Sequence, residues 1–138
     1  MNTAESMMII IFGATGDLTK RKLIPSLYHM IGRNQLSGNS PIVCVGRRPY
    51  SKEEFVETLQ LENFVESADA TLVAQLFSQL EYLQADLSEI SPEEFAGKIE
   101  EVRTKYSCSH NKLIYFALAT TLFQAAVALL RPLLADRG

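Results

Sequence analysis

Two groups of residues in this sequence have the types and spacing to do chemistry, and both point to a bound phosphate. The first is Gly13-Ala14-Thr15-Gly16-Asp17-Leu18-Thr19-Lys20-Arg21-Lys22, directly after the apolar run Met7 to Phe12. Gly13 and Gly16 lack the Cβ that would hold a pyrophosphate away from the backbone, and Gly13 can take a positive φ in a tight turn. Free amides at the start of a following helix suit an anion. Lys20, Arg21 and Lys22 sit where the helix macrodipole favours acids, at about 0.3–1 kcal/mol of cost per exposed charge, so three together indicate an anionic partner. A solvated polar face is the alternative for any one of them.

The second group is Gly46-Arg47-Arg48-Pro49, at the end of another apolar run, Pro41 to Gly46. A site that reads the ribose hydroxyls of NAD places Asp or Glu at the end of its second strand, whereas an Arg there accommodates a 2′-phosphate. No acid follows until Glu53, so the pattern favours NADP over NAD. A guanidinium makes bidentate, charge-assisted bonds to phosphate that lysine does not match. Two solvated loop arginines are the structural alternative. Gly-x-x-Gly is unspecific by itself, and the fingerprint Gly-x-Gly-x-x-Gly is absent, with Thr at positions 15 and 19.

The elements that would position these groups follow from hydrophobic spacing. Met7 to Phe12 is an unbroken, isoleucine-rich run suited to a parallel strand covered on both faces. Leu23, Ile24, Leu27, Tyr28 and Ile31 recur at helical spacing until Gly32 or the Ser37-Gly38 pair, with Pro25 marking a first-turn position or a kink. Pro41 to Gly46 forms a second strand. Ser51 with Glu54 fits a capping box, and Phe55, Val56 and Leu59, then Leu72, Val73, Leu76, Phe77 and Leu80, predict one interrupted helix or two. A third strand is expected at Glu81 to Ala85. Ser91-Pro92-Glu93-Glu94 caps a helix with the stripe Phe95, Ile99, Val102 and Tyr106. Lys112 to Leu118 supplies a fourth strand and Thr121 to Ala135 a last helix.

Strands alternating with helices imply parallel pairing through right-handed crossovers: an α/β, Rossmann-like doubly wound sheet in the order 3-2-1-4. That is the first half of a dinucleotide fold plus a C-terminal helix. Residues 1–138 are expected to form one NADP-binding domain, truncated, with the substrate domain absent. The last helix, through Leu122, Phe123, Ala125, Ala126, Val127, Ala128, Leu129, Leu130, Leu133 and Leu134, is apolar nearly all round. It expects cover on several sides, and an exposed patch there offers a surface for self-association. Burial in this small core is the alternative.

Composition bounds the function classes. With 47% hydrophobic and 21% charged residues among 138, the chain can bury one core. A net charge of −3 argues against a general nucleic-acid binder. No apolar run approaches the ~20 residues that span a bilayer, and Met1 to Ser6 lacks the charged start of a secretory signal, so a cytoplasmic protein with no membrane partner is expected. Cys44 and Cys108 have no ligand spacing, which indicates neither a metal site nor a disulfide. His29 and His110 have no partner pattern and receive no catalytic role.

The stretch Phe12 to Leu27 resembles the opening of the glucose-6-phosphate 1-dehydrogenase family, with its Gly-Ala-Ser/Thr-Gly-Asp-Leu start, basic triplet and helical Pro. Ile42 to Ser51 is similar to the family's second strand and Arg turn, and Asn111 to Phe123 to its later strand-turn-helix. The resemblance implies that Gly13, Ala14, Thr15, Gly16, Asp17, Leu18, Thr19 and Lys20 line the NADP pyrophosphate. It also implies that Arg47 faces the 2′-phosphate with Arg48 nearby, that Asp86 and Leu87 lie beside the adenosine half, and that Lys22 approaches the sugar phosphate or the nicotinamide. Two departures stand out: Cys44 replaces a common Gly, and Ala119-Thr120 replaces a turn that usually contains Pro.

Family chemistry removes the C1 hydroxyl proton of glucose 6-phosphate with a His while hydride passes to NADP, giving 6-phosphogluconolactone, a step of the pentose phosphate pathway. The family's Glu-Lys-Pro motif and the Asp-His pair that holds the base have no counterpart here, so no catalytic residue is assigned in this chain. The expected function is the NADP-binding portion of such an oxidoreductase, inactive alone. Two rivals remain: an atypical short-chain reductase, which would carry a third Gly at position 19 and a Tyr-x-x-x-Lys pair, and a non-catalytic module of the same fold.

Overall fold

The isoleucine run becomes the middle of a parallel sheet. A computed structural model describes residues 5–118 and 122–135. In it β1 (Met8–Phe12) lies between β2 (Ile42–Gly46) and β4 (Lys112–Phe116), while β3 (Leu80–Gln84) flanks β2, giving the expected order 3-2-1-4. All pairings are parallel, with Ile9 opposite Ile42, Met8 opposite Lys112 and Cys44 opposite Tyr82. Every residue of β1 is fully buried, as a strand covered on both faces requires.

Alternation along the strands divides the core into two layers. Ile9, Ile11, Ile42 and Cys44 pack with Ile24, Leu27, Phe55 and Leu76 on one face. Met8, Ile10, Phe12, Val43 and Val45 pack with Phe95, Ile99 and Leu129 on the other. At the centre of the second layer the Phe12 ring stacks on Phe95 and Phe116, with centroids 5.7 and 5.5 Å apart. Such pairs add about 0.5–1.5 kcal/mol to the area they bury.

The strand bounds differ from expectation by a residue or two, for local reasons. Met7 gives its amide to Ser40 Oγ at 2.9 Å rather than to a ladder, so β1 begins at Met8. Pro41 has no N–H to give and only its carbonyl pairs, accepting from Ile9 at 2.9 Å. β3 starts one residue early, at Leu80, and a further ladder bond from Ala85 N–H to the Gly46 carbonyl, 2.9 Å, covers its expected end.

The first helix holds a feature the spacing did not predict. The chain is helical from Asp17, but Thr19–Leu23 forms a π turn, in which the Ile24 amide reaches the Thr19 carbonyl five residues back, before α1 (Ile24–Gly32) continues. Pro25 explains it: proline has no N–H, and its ring collides with the carbonyl four residues earlier in a regular helix. Widening the preceding turn relieves both, and Pro25 falls in the first turn of α1.

The residues after β2 form two helices. Ser51 caps α2 (Lys52–Leu59) reciprocally: Oγ accepts from the Glu54 amide at 3.1 Å, and Glu54 Oε1 accepts from the Ser51 amide at 2.9 Å. Gln60, left-handed at φ 48°, ends α2, and a 3-10 turn at Leu61–Asn63 precedes α3 (Ala70–Gln79), which Asp69 caps. Ser91 caps α4 (Pro92–Tyr106) through the Glu94 amide at 3.0 Å. α5 (Phe123–Ala135) packs Ala126, Leu129, Leu130 and Leu133 against the sheet, while Leu122, Phe123 and Val127 are exposed. The burial alternative is therefore met along one stripe only. The expected helix start at Thr121, the Ala119-Thr120 turn and the Leu134 side chain lie outside the described residues. Among those described, no helix is long and apolar enough to cross a membrane.

An ionic cluster ties α4 to the edge strand. Glu81 Oε2 accepts from Lys105 Nζ at 2.9 Å and from the Tyr106 hydroxyl at 2.6 Å. Burial pushes the Glu81 carboxyl up, but the bonds from Tyr106 and Lys105, with the charges of Lys105 and Lys52, outweigh it and hold the group below the usual carboxylate range. A carboxylate with a depressed folded pKa contributes stability above its unfolded value, about 4.3, and loses it as pH falls through the folded value. Glu81→Gln is therefore expected to lower the thermal midpoint at pH 7, with the gap to wild type closing in acid. A gap independent of pH between 7 and 3 would contradict this assignment.

Candidate functional site

All four strands point their C-terminal ends at one edge of the sheet, where ligands bind in open α/β folds. The loop after β1 is shaped by Gly13, which has φ +82°. A Cβ there would lie 2.2 Å from the Ala117 carbonyl oxygen, so the position excludes side chains on sterics as well as on conformation. The amides of Gly13 and Ala14 both donate to the Val45 carbonyl, at 3.1 and 3.0 Å, fastening the turn to β2. Gly16 donates to the Gly13 carbonyl at 3.1 Å, and the fully buried Thr19 sends its hydroxyl to the same oxygen at 3.4 Å. Thr19 thus stands behind the turn and shapes it. Among the described residues, no backbone carbonyl accepts from the amides of Thr15, Asp17 and Leu18. They are among the donors left in the turn and at the helix start.

The loop after β2 carries Arg47 and Arg48, both exposed. Their backbone is anchored: the Arg48 carbonyl accepts from the Tyr50 amide at 2.9 Å and the Tyr82 hydroxyl at 2.6 Å, and the Arg47 carbonyl accepts from Gln84 Nε2 at 3.3 Å. After β3, Asp86 folds the chain into a turn, its Oδ1 accepting from the Ser88 amide at 3.0 Å and hydroxyl at 2.6 Å. Those bonds, with a smaller contribution from the Arg47 charge, hold the Asp86 carboxyl below its usual range. It is anionic at neutral pH.

Between these loops lies a cavity of about 300 Å³. Of the residues singled out from the sequence, it brings together Gly13, Thr15, Arg47, Asp86 and Leu87. Ala14 is buried beneath the turn, while Gly16, Asp17 and Leu18 lie on its exposed side. Lys20, Lys22 and Arg48 are outside the lining. Arg21 is engaged within the protein, with Nε 2.8 Å from Asp17 Oδ2 and its guanidinium 5.4 Å over the Phe64 ring, so the basic triplet is not three free cations.

The lining also includes Gly46, which opens the arginine loop, and Val45, Ala85, Ser88, Leu118 and Leu122, which the sequence reading missed. Most share a signal of position: apart from Leu122, which immediately precedes α5, each sits at or within a few residues of the C-terminal end of a strand. The walls join apolar surface from Val45, Ala85, Leu87 and Leu118 to one cation, Arg47, and one carboxylate, Asp86. Such a cavity suits a flat apolar ring on a hydroxylated, phosphorylated sugar.

Comparison with known proteins bears on the family and the fold. A family model described as "Glucose-6-phosphate dehydrogenase, NAD binding domain" matches residues 10–136. The glucose-6-phosphate 1-dehydrogenase of Streptococcus pneumoniae serotype 4 is 35% identical over 122 residues, covering 87% of this chain and 24% of its own length. That of Chlamydia muridarum is 38% identical over 127 residues, covering 87% of this chain and 25% of its own. The chain thus spans about a quarter of the length of these curated relatives. A solved glucose-6-phosphate dehydrogenase in complex with its substrate glucose-6-phosphate is 25% identical over 97% of this chain and 28% of that one, with a TM-score of 0.79. Glucose-6-phosphate 1-dehydrogenase from Mycobacterium avium shares the fold at 23% identity, with a TM-score of 0.76.

Proposed function

Because the chain belongs to the glucose-6-phosphate dehydrogenase family, through its NAD-binding domain, we propose that residues 1–138 hold NADP for the oxidation of glucose 6-phosphate to its lactone. One observation carries the coenzyme choice: Arg47 lines the cavity at the end of β2, where a ribose-binding acid would stand in an NAD site. Gly13 and the amides of Thr15, Asp17 and Leu18 would hold the pyrophosphate, Arg47 with Arg48 the 2′-phosphate, and Asp86 and Leu87 the adenosine side. When bound, the nicotinamide supplies the hydride acceptor.

The chain's own contribution is binding and orientation. Among the described lining residues, Asp86 is the one carboxylate, and two hydrogen bonds to Ser88 keep it an acceptor rather than a proton carrier. Gly13 would bring backbone within reach of the diphosphate, and Arg47 would neutralise the 2′-phosphate. Lys22, exposed on the π turn, is assigned to the sugar phosphate. The base that takes the C1 proton is assigned outside these residues, and the 138-residue chain is proposed to bind coenzyme without reducing it. The exposed face of α5, with Phe123 and Val127, offers a surface for self-association, and a cytoplasmic setting in the pentose phosphate pathway fits the reading.

Calorimetric titration with NADP and NAD tests the coenzyme assignment. NADP is expected to bind at least about tenfold more tightly, the value of one charge-assisted contact. Equal affinities, or no binding of either, would sink it.

A further inference from the structure

We propose that Tyr82 and Gln84 are positioning residues that set the preference for a 2′-phosphate, by fixing the backbone of the Arg47-Arg48 turn from behind. The inference rests on the reading of the cavity as the adenosine end of an NADP site. Neither residue lines that cavity. They stand two apart on β3, so the pleat directs both side chains to one face, and the register sets them opposite Cys44 and Gly46 at the end of β2. From there the Tyr82 hydroxyl donates to the Arg48 carbonyl at 2.6 Å and Gln84 Nε2 to the Arg47 carbonyl at 3.3 Å. Two consecutive peptide groups are held by two consecutive same-face side chains.

The hydroxyl that does this is itself immobilised. The Tyr82 ring stacks on Phe55 with centroids 4.8 Å apart and lies 5.8 Å from the Tyr50 ring, while Tyr50 gives its amide to the same Arg48 carbonyl. Burial and the neighbouring Tyr50 push the hydroxyl's pKa up, so it remains a donor at neutral pH. Gly46 completes the arrangement: a Cβ there would lie 2.7 Å from the Tyr82 hydroxyl, so the glycine leaves the space the hydroxyl occupies. The Arg47 side chain is exposed and long. Fixing its backbone lowers the ordering entropy lost when it grips a phosphate, and affinity gained in this way is specific to ligands that carry the phosphate.

Adenosine 2′,5′-bisphosphate and 5′-AMP, titrated into the 138-residue chain, isolate this contact. Tyr82→Phe keeps the ring and removes only the donor. It is expected to weaken bisphosphate binding about three- to tenfold and leave AMP binding unchanged. Gln84→Leu should act in the same direction, and it serves as the readout if the Tyr82 variant melts below the assay temperature. A ratio of the two affinities unchanged in both variants, with Arg47→Ala collapsing it, would overturn the positioning role and leave the 2′-phosphate reading intact. An equal loss for both ligands would make Tyr82 a general support and also overturn it. If Arg47→Ala leaves the ratio intact, or wild type binds neither ligand, the coenzyme reading itself fails and this inference with it.

Discussion

Gly13→Ala is expected to unfold roughly 10–20 °C below wild type, the consequence of about 3–5 kcal/mol lost at one atom. Two costs add. A non-glycine residue held at φ +82° is strained by about 1–3 kcal/mol. The new Cβ would also meet the Ala117 carbonyl oxygen at 2.2 Å and its carbon at 2.7 Å, and neither is the loose end of a side chain. That carbonyl cannot retreat freely, because the Ala117 amide is bonded to the Phe12 carbonyl at 2.8 Å, in the continuation of the β1–β4 ladder. Gly16→Ala is the control, since its Cβ would come no closer than 3.3 Å to the Gly13 oxygen. Thermal melts followed by circular dichroism compare the two. A Gly13 variant that melts within a few degrees of the Gly16 variant would show that β4 yields at this point.

Arg47→Ala is expected to weaken NADP binding about ten- to hundredfold while NAD binding stays within a factor of about two, from the loss of one or two charge-assisted hydrogen bonds. The upper part of that range follows from Asp86, which faces the same cavity and is held anionic by Ser88. Without the guanidinium a phosphate would stand beside an uncompensated carboxylate. Arg47→Lys should recover part of the affinity, since an ammonium keeps the charge but loses the fork. Calorimetry at fixed ionic strength measures both ligands, because salt screens an exposed contact of this kind. A loss shared equally by NADP and NAD would remove Arg47 from the 2′-phosphate and make it a general contributor to the pocket.

How much of this was legible in the sequence depended on whether the deciding interaction was local. The sheet order followed from β1 being apolar at every position and from the alternation of strands with capped helices; the Ser51-Glu54 box formed as the spacing implies. The π turn was not legible as such, although its cause was: Pro25 signalled a departure from regular helix, but which preceding turn would widen depends on Thr19 being buried against the Gly13 carbonyl. Within the basic triplet, the Asp17–Arg21 pair is legible from its spacing of one helical turn, whereas the Arg21 contact with Phe64 is not, because Phe64 arrives from a distant loop. The need for glycine at position 13 was read correctly from conformation, yet its larger reason, the Ala117 carbonyl, lies more than a hundred residues away. Tyr82 and Gln84 went unnoticed for the same reason: only strand pairing puts them behind the arginines.

The pairing of β1 also sets the order in which this chain can fold. Ile9 meets Ile42 early, but the strand's other edge waits for Lys112 to Phe116, so during synthesis at roughly 5–20 residues per second a row of isoleucines stays unpaired for several seconds. Such non-local closure is slow to form. The carbonyl that fits beneath Gly13 belongs to the residue just after β4. The turn at Gly13, near the beginning of the sequence, therefore cannot take its final shape until more than a hundred further residues have been made.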